Sequence, residues 1–212
     1  MSYNKVKSLM ANIEAIATAF QLRREKRKAT REERETLSKY SGFGGISDIL
    51  NIGTNNPMPD NLKEPVQRLL QVLIEGADGD EALYNDMVSS LKSSVLTAFY
   101  TPSFLIETVA QQIQQTFSEH DLQMKSFLEP SAGTGGFLQV ATPTAYKAAF
   151  EKDLVTGLVL SALADETHVF IDGFETIDSR EMEQDKFDVI ASNIPFGNFK
   201  VSDFDFEQRG LP

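Results

Sequence analysis

The sequence predicts an α/β protein in which an all-helical N-terminal region, residues 1–97, precedes a parallel, doubly wound sheet within residues 98–212. Three observations lead there. Apolar residues recur at helical spacing up to residue 97, short apolar runs alternate with helical stretches from residue 126 onward, and those runs end in turns built from Gly, Pro, Asp and Asn. Strands alternating with helices imply a parallel sheet whose ligands bind at the carboxyl ends of its strands.

Taken in order, Val6, Leu9, Met10, Ile13, Ile16, Ala17 and Phe20 form one apolar stripe, which predicts a helix over 4–22. The basic run Arg23–Lys28 reads as a solvated helix face or connector, with nucleic-acid contact as the alternative. Thr30-Arg31-Glu32-Glu33 has capping-box spacing and predicts a second helix from Arg31. That helix should end before Ser41-Gly42-Phe43-Gly44-Gly45, where glycines permit backbone angles closed to other residues. A loop over 55–61 separates it from helices predicted over 62–76 and 80–97. After Thr101-Pro102 a further helix carries Phe104, Leu105, Val109 and Ile113. Strands are predicted over 126–129, 146–151, 168–172 and 187–192, the last as a buried strand, with a short helix after the glycine loop and a longer one over 153–164.

Composition removes several kinds of chemistry. With no Cys there is no thiolate nucleophile and no disulfide framework, and two histidines, His120 and His168, support neither a zinc centre nor a Ser-His-Asp relay. No stretch approaches the roughly 20 apolar residues of a membrane span, and Met-Ser-Tyr-Asn-Lys lacks the apolar region of a secretory signal. A cytoplasmic protein without membrane contact or metal is the expectation. The net charge of −11 opposes bulk attraction to nucleic acid, so any such contact requires a local patch or another domain.

Two features point to a ligand. Ser126-Phe127-Leu128-Glu129-Pro130-Ser131-Ala132-Gly133-Thr134-Gly135-Gly136-Phe137 is a strand, a turn of small residues and a helix start, whose free amides favour polar or anionic ligand groups. It matches neither Gly-x-Gly-x-x-Gly nor a Walker loop. Glu151, at the tip of the second strand, is placed to accept the hydroxyl protons of an adenosine ribose. Asp172 can supply an adenine hydrogen bond and Phe174 a ring face, unless Phe174 belongs to the core.

The turn Asn193-Ile194-Pro195-Phe196 suggests a reaction. The exocyclic amino nitrogens of bases are poor nucleophiles because their lone pairs are delocalised, so a site must hold the N–H groups on acceptors. Asn193 and a carbonyl of Ile194 or Pro195 are such acceptors. Proline fixes the turn without a competing N–H, and Phe196 offers a face for a flipped-out base.

Together Phe99-Tyr100-Thr101-Pro102, Leu128 through Phe137 and Asn193-Ile194-Pro195-Phe196 resemble the successive motifs of the N6-adenine DNA methyltransferases. Within that family the chain is most similar to the methylase region of helicase–methylase fusion proteins of phages and conjugative elements, which share Ala29-Thr30-Arg31-Glu32-Glu33 and Gly42-Phe43-Gly44-Gly45. The resemblance implies a partial Rossmann-like methyltransferase sheet and S-adenosylmethionine as cofactor. Tyr100, Thr101 and Pro102 would border the methionine end, Glu129, Ala132, Gly133 and Gly135 would form the floor, and Glu151 would hold the ribose. Asn193, Pro195 and Phe196 would hold the target adenine. Ile194 departs from the family pattern, which usually has a second proline there.

Methylation at cytosine C5 is excluded, because it needs a cysteine nucleophile. No target-recognition domain fits between Gly135 and Asn193, so DNA readout is expected beyond the C-terminus. A sheet of this type usually has more strands than the four predicted here. The chain is therefore expected to be the N-terminal part of a larger methylase, with little or no activity alone. The alternatives are a truncated cofactor-binding or interaction module, and methylation of a protein glutamine or of RNA.

Overall fold

The computed structural model describes residues 4–179 and 186–194. Helices α1 (Lys5–Glu25), α2 (Arg31–Leu37), α3 (Asp60–Ala77) and α4 (Glu81–Thr97) come first, with a 3-10 turn at Ser47–Asn51. Then follow α5 (Ser103–Glu119), β1 (Ser126–Glu129), a 3-10 turn (Gly136–Val140), β2 (Tyr146–Phe150), α6 (Leu154–Leu163), β3 (Thr167–Phe170), a 3-10 turn (Phe174–Ser179) and β4 (Val189–Ile190).

Local chemistry sets the helix ends. The Asn4 side chain accepts from the Lys7 amide and opens α1, which runs past its predicted end and stops where Lys26 turns left-handed at φ +51°. Arg23 and Arg24 in that last turn complement the helix dipole. Thr30 and Glu33 form the anticipated reciprocal capping box. Leu9, Ile13 and Ile16 of α1 pack with Leu69 and Leu73 of α3, and Val155 and Val159 of α6 belong to the same apolar cluster. The helical layer is thus built onto a helix of the sheet region.

All four strands are parallel in the order β3-β2-β1-β4. The chain moves from β1 through β2 to β3, then returns to the other side of β1, so the connection reverses direction between β1 and β4. Side-chain alternation divides the faces. Phe127 packs with Ile106 of α5 and with Val140, and Ala149 packs with Leu160 of α6. Leu128, Ala148 and Phe150 point the other way, against Phe170, Ile177 and Phe187.

The α/β class with a helical N-terminal region and a parallel sheet holds, and among the described residues α5 and α6 lie on one face of the sheet and the 3-10 turn Phe174–Ser179 on the other. Two expectations need correction. The helix expected after the glycine loop is a five-residue 3-10 turn. The run at 187–192, read as a buried strand, contributes only Val189 and Ile190 to the ladder, and Ile190 is 59% exposed because β4 pairs only with β1 among the described residues. The Asp188 carboxylate fastens this short strand by accepting the Lys125 and Ser126 amides at 2.6 and 3.0 Å. Those hydrogen bonds, that from Lys125 foremost, hold its carboxyl below the usual range. Among the described residues no helix is long and apolar enough to cross a membrane.

Candidate binding cleft

A cleft opens at the carboxyl ends of β1, β2 and β4, walled by the segment that joins α4 to α5. It is lined by Phe99, Tyr100 and Thr101 from that segment, by Glu129 and the Ser131–Thr134 loop, by Glu151, Asp153 and Thr156, and by Asn193. Its empty space is about 630 Å³, part of it open to solvent.

The glycine loop directs its amides inward, onto the protein's own carboxylates. Gly133 N donates to Glu151 Oε2 at 2.6 Å, and Phe137 N donates to Glu129 Oε1 at 3.2 Å. Gly133 and Gly135 have φ of +55° and +76°, a region hostile to side chains. Gly133 is also required by contact, since a Cβ there would lie 2.6 Å from Tyr100 Cε1. These two amides are therefore taken by the protein's own carboxylates, and the loop runs into a five-residue 3-10 turn where a helix start was expected.

Three carboxylates instead dominate the cleft. Glu129 is 1% exposed, and its Oε2 has no hydrogen-bond partner. Burial pushes its carboxyl up to about 8, against the hydrogen bonds from Phe137 and Leu138. Glu151 is pushed up to about 7, chiefly by burial, although the Asp153 and Gly133 amides favour its charged form. Asp153 is also raised by burial, while it accepts from Ser90 Oγ at 2.6 Å and from Thr156 N at 2.7 Å as the N-cap of α6. No Lys or Arg lines this cleft. Such a site offers carboxyl groups to hydroxyl or amine donors and to cations, and no positive group to a phosphate. Among the described residues no group of three or more His, Asp or Glu is arranged to hold a metal ion.

At the other wall Asn193 Nδ2 donates to the main-chain carbonyl of Phe99 at 3.0 Å. This bond uses one of the two amide N–H groups and orients the side chain, with Oδ1 as its acceptor end. The strand leading to it is fixed by Ser192, whose hydroxyl donates to Ser131 O at 3.0 Å and accepts from Ser131 N at 3.2 Å. Phe99 itself is 62% exposed at the cleft.

Of the residues singled out from sequence, Tyr100, Thr101, Glu129, Ala132, Gly133, Glu151 and Asn193 line this cleft. Four do not. Pro102 caps the start of α5, and Gly135 turns toward Leu138 and Leu160. Asp172 accepts from the Gly173 amide, and Phe174 touches Phe150 edge-on but is 40% exposed, so it is not a core residue either. Pro195 and Phe196 lie outside the described residues. Sequence reasoning missed Asp153, Thr156 and Ser192. Asp153 was legible as a helix cap from Asp-Leu-Val-Thr, whereas nothing local marks Ser192 as the partner of Ser131.

No family model, curated protein or solved structure matches the chain.

Proposed function

We propose that the cleft binds S-adenosylmethionine and that this Rossmann-like sheet carries the catalytic part of an N6-adenine DNA methyltransferase. The observation that carries the reading is the cleft's acidic lining, whose charged forms a bound cation would favour. The cleft lies at the reversal between β1 and β4, the usual ligand position of open parallel sheets, yet three carboxylates and no cation line it. Phosphate-bearing nucleotides are disfavoured there. An adenosine cofactor without phosphate, bearing a sulfonium and an ammonium, suits it.

The residues fit that group. Glu151 accepts two backbone amides, and an ionised carboxylate has about four acceptor positions, which leaves room for ribose hydroxyls. The unpartnered Glu129 Oε2 would accept a donor or face a positive charge. When bound, S-adenosylmethionine supplies a sulfonium-activated methyl group. Asn193 Oδ1, fixed by the Phe99 carbonyl, would accept an adenine N6 proton and keep the nitrogen lone pair directed at the methyl carbon. Transfer would leave the methyl group on N6, the sulfur as a neutral thioether and one N6 proton to pass to water.

Isothermal calorimetry tests the cofactor. S-adenosylmethionine and its demethylated product should bind, ATP and NAD should not, and Glu151→Ala should weaken binding by tenfold or more. No binding at millimolar S-adenosylmethionine, or equal binding of ATP, refutes the reading. Methyl-labelled cofactor with DNA, RNA and a glutamine peptide tests the acceptor. Slow labelling of adenine N6 in DNA, abolished by Asn193→Ala, is expected, and labelling of RNA or peptide alone refutes that part.

A further inference from the structure

The cleft includes a residue gripped from outside the sheet. Tyr100 stands between two glycines far apart in sequence. A Cβ at Gly42 would lie 2.5 Å from Tyr100 Oη, and one at Gly133 would lie 2.6 Å from its Cε1. Both glycines have positive φ, +65° and +55°. The ring is thus held between the 41–44 turn of the helical layer and the glycine loop after β1.

The turn is itself anchored. Asn12 of α1 is fully buried, and its side chain is used at both ends. Nδ2 donates to Gly42 O at 2.6 Å, and Oδ1 accepts from Ser41 N at 2.8 Å. A Cβ on Gly44 would collide with the Ala98 carbonyl, two residues before Tyr100. A second line runs through Tyr40, whose hydroxyl meets Thr156 Oγ1 at 2.9 Å. Thr156 N donates to Asp153, Asp153 N donates to Glu151, and Glu151 accepts from Gly133. The helical layer therefore reaches the glycine loop by two routes, one through packing and one through hydrogen bonds.

We propose that this layer is a positioning device for Tyr100, that Asn12 and Gly42 are its positioning residues, and that it sets the affinity of the cleft for its cofactor. The inference rests on the S-adenosylmethionine reading above. Neither residue lines the cleft. Both act by fixing where the Tyr100 ring stands against Gly133.

The test compares wild type, Gly42→Ala, Tyr100→Phe and the double variant. It measures S-adenosylmethionine Kd by calorimetry, melting temperature, and the fluorine resonance of 3-fluorotyrosine at position 100 in ligand-free protein. Five tyrosines are present, and loss of one signal in Tyr100→Phe assigns it. In the Tyr100 background Gly42→Ala should weaken binding by about tenfold, equivalent to about 1.4 kcal/mol, and shift the resonance. In the Tyr100→Phe background the same change should cost about threefold or less, because the closest collision is with the hydroxyl that has been removed. An equal loss in both backgrounds would mean general destabilisation and overturn the proposal. So would wild-type affinity in a folded Gly42→Ala protein. Asn12→Ala adds no colliding atom and decides the matter if Gly42→Ala does not fold: weaker binding and a moved resonance are expected, and unchanged values overturn the proposal. If wild type itself fails to bind, the cofactor reading fails instead.

Discussion

Glu129 should make the protein lose stability as pH rises, and Glu129→Gln should remove that loss. The carboxyl titrates near 4.5 when unfolded and is pushed up to about 8 in the fold, mainly by burial. The folded state therefore holds a proton that the unfolded state has released throughout that window. Stability then falls with increasing pH. At 1.36 kcal/mol per pH unit, the cost is about 1 kcal/mol at pH 5, about 3 kcal/mol at pH 7 and about 5 kcal/mol at pH 9. Glutamine keeps the acceptor for the Phe137 amide and cannot ionise. Its own buried amide adds an offset, but that offset is the same at every pH. The assay is urea unfolding of both proteins at pH 5, 7 and 9. The variant should gain about 4 kcal/mol on wild type between pH 5 and 9. Parallel pH profiles would refute the claim that Glu129 is buried without an opposite charge to offset the loss of water.

Other consequences are as direct. S-adenosylmethionine binding near pH 7 should release protons, because a cation beside Glu129 and Glu151 favours their charged forms; binding enthalpies in buffers of different ionisation enthalpy would show a zero slope if it did not. Asp153→Ala removes the N-cap of α6 and its tie to Ser90, and should cost about 1–2 kcal/mol in chemical denaturation. Phe43→Ala empties a fully buried site beside Tyr40 and should cost about 3–5 kcal/mol, with a loss below 1 kcal/mol contradicting the packing of the 41–44 turn.

The helices were legible because their information is local. Apolar spacing, the Thr30–Glu33 capping box and the Thr101-Pro102 break each act within a few residues, and the observed elements follow them closely. Glu151 was legible for a related reason, since a carboxylate one residue beyond a parallel strand reaches its carboxyl end whatever surrounds it. The run at 187–192 misled because hydrophobicity reports a tendency to be buried and carries no information about which strands flank it. Val189 and Ile190 stand at the edge of the described sheet, and no local pattern distinguishes that position from the interior.

The sequence by itself determined most of the helices and strands, that the sheet is parallel, and that a small-residue turn and an acid stand at the carboxyl ends of its strands. Only the tertiary structure decided what those groups do to one another. The glycine-loop amides are taken by Glu151 and Glu129, the Asn193 amide is oriented by the Phe99 carbonyl, and Tyr100 is gripped by Gly42. Each of these contacts joins residues distant in the chain, and their strength depends on burial and distance, which no run of neighbouring residues encodes. That is why a loop read as offering its amides to polar or anionic ligand groups spends two of them on the protein's own carboxylates.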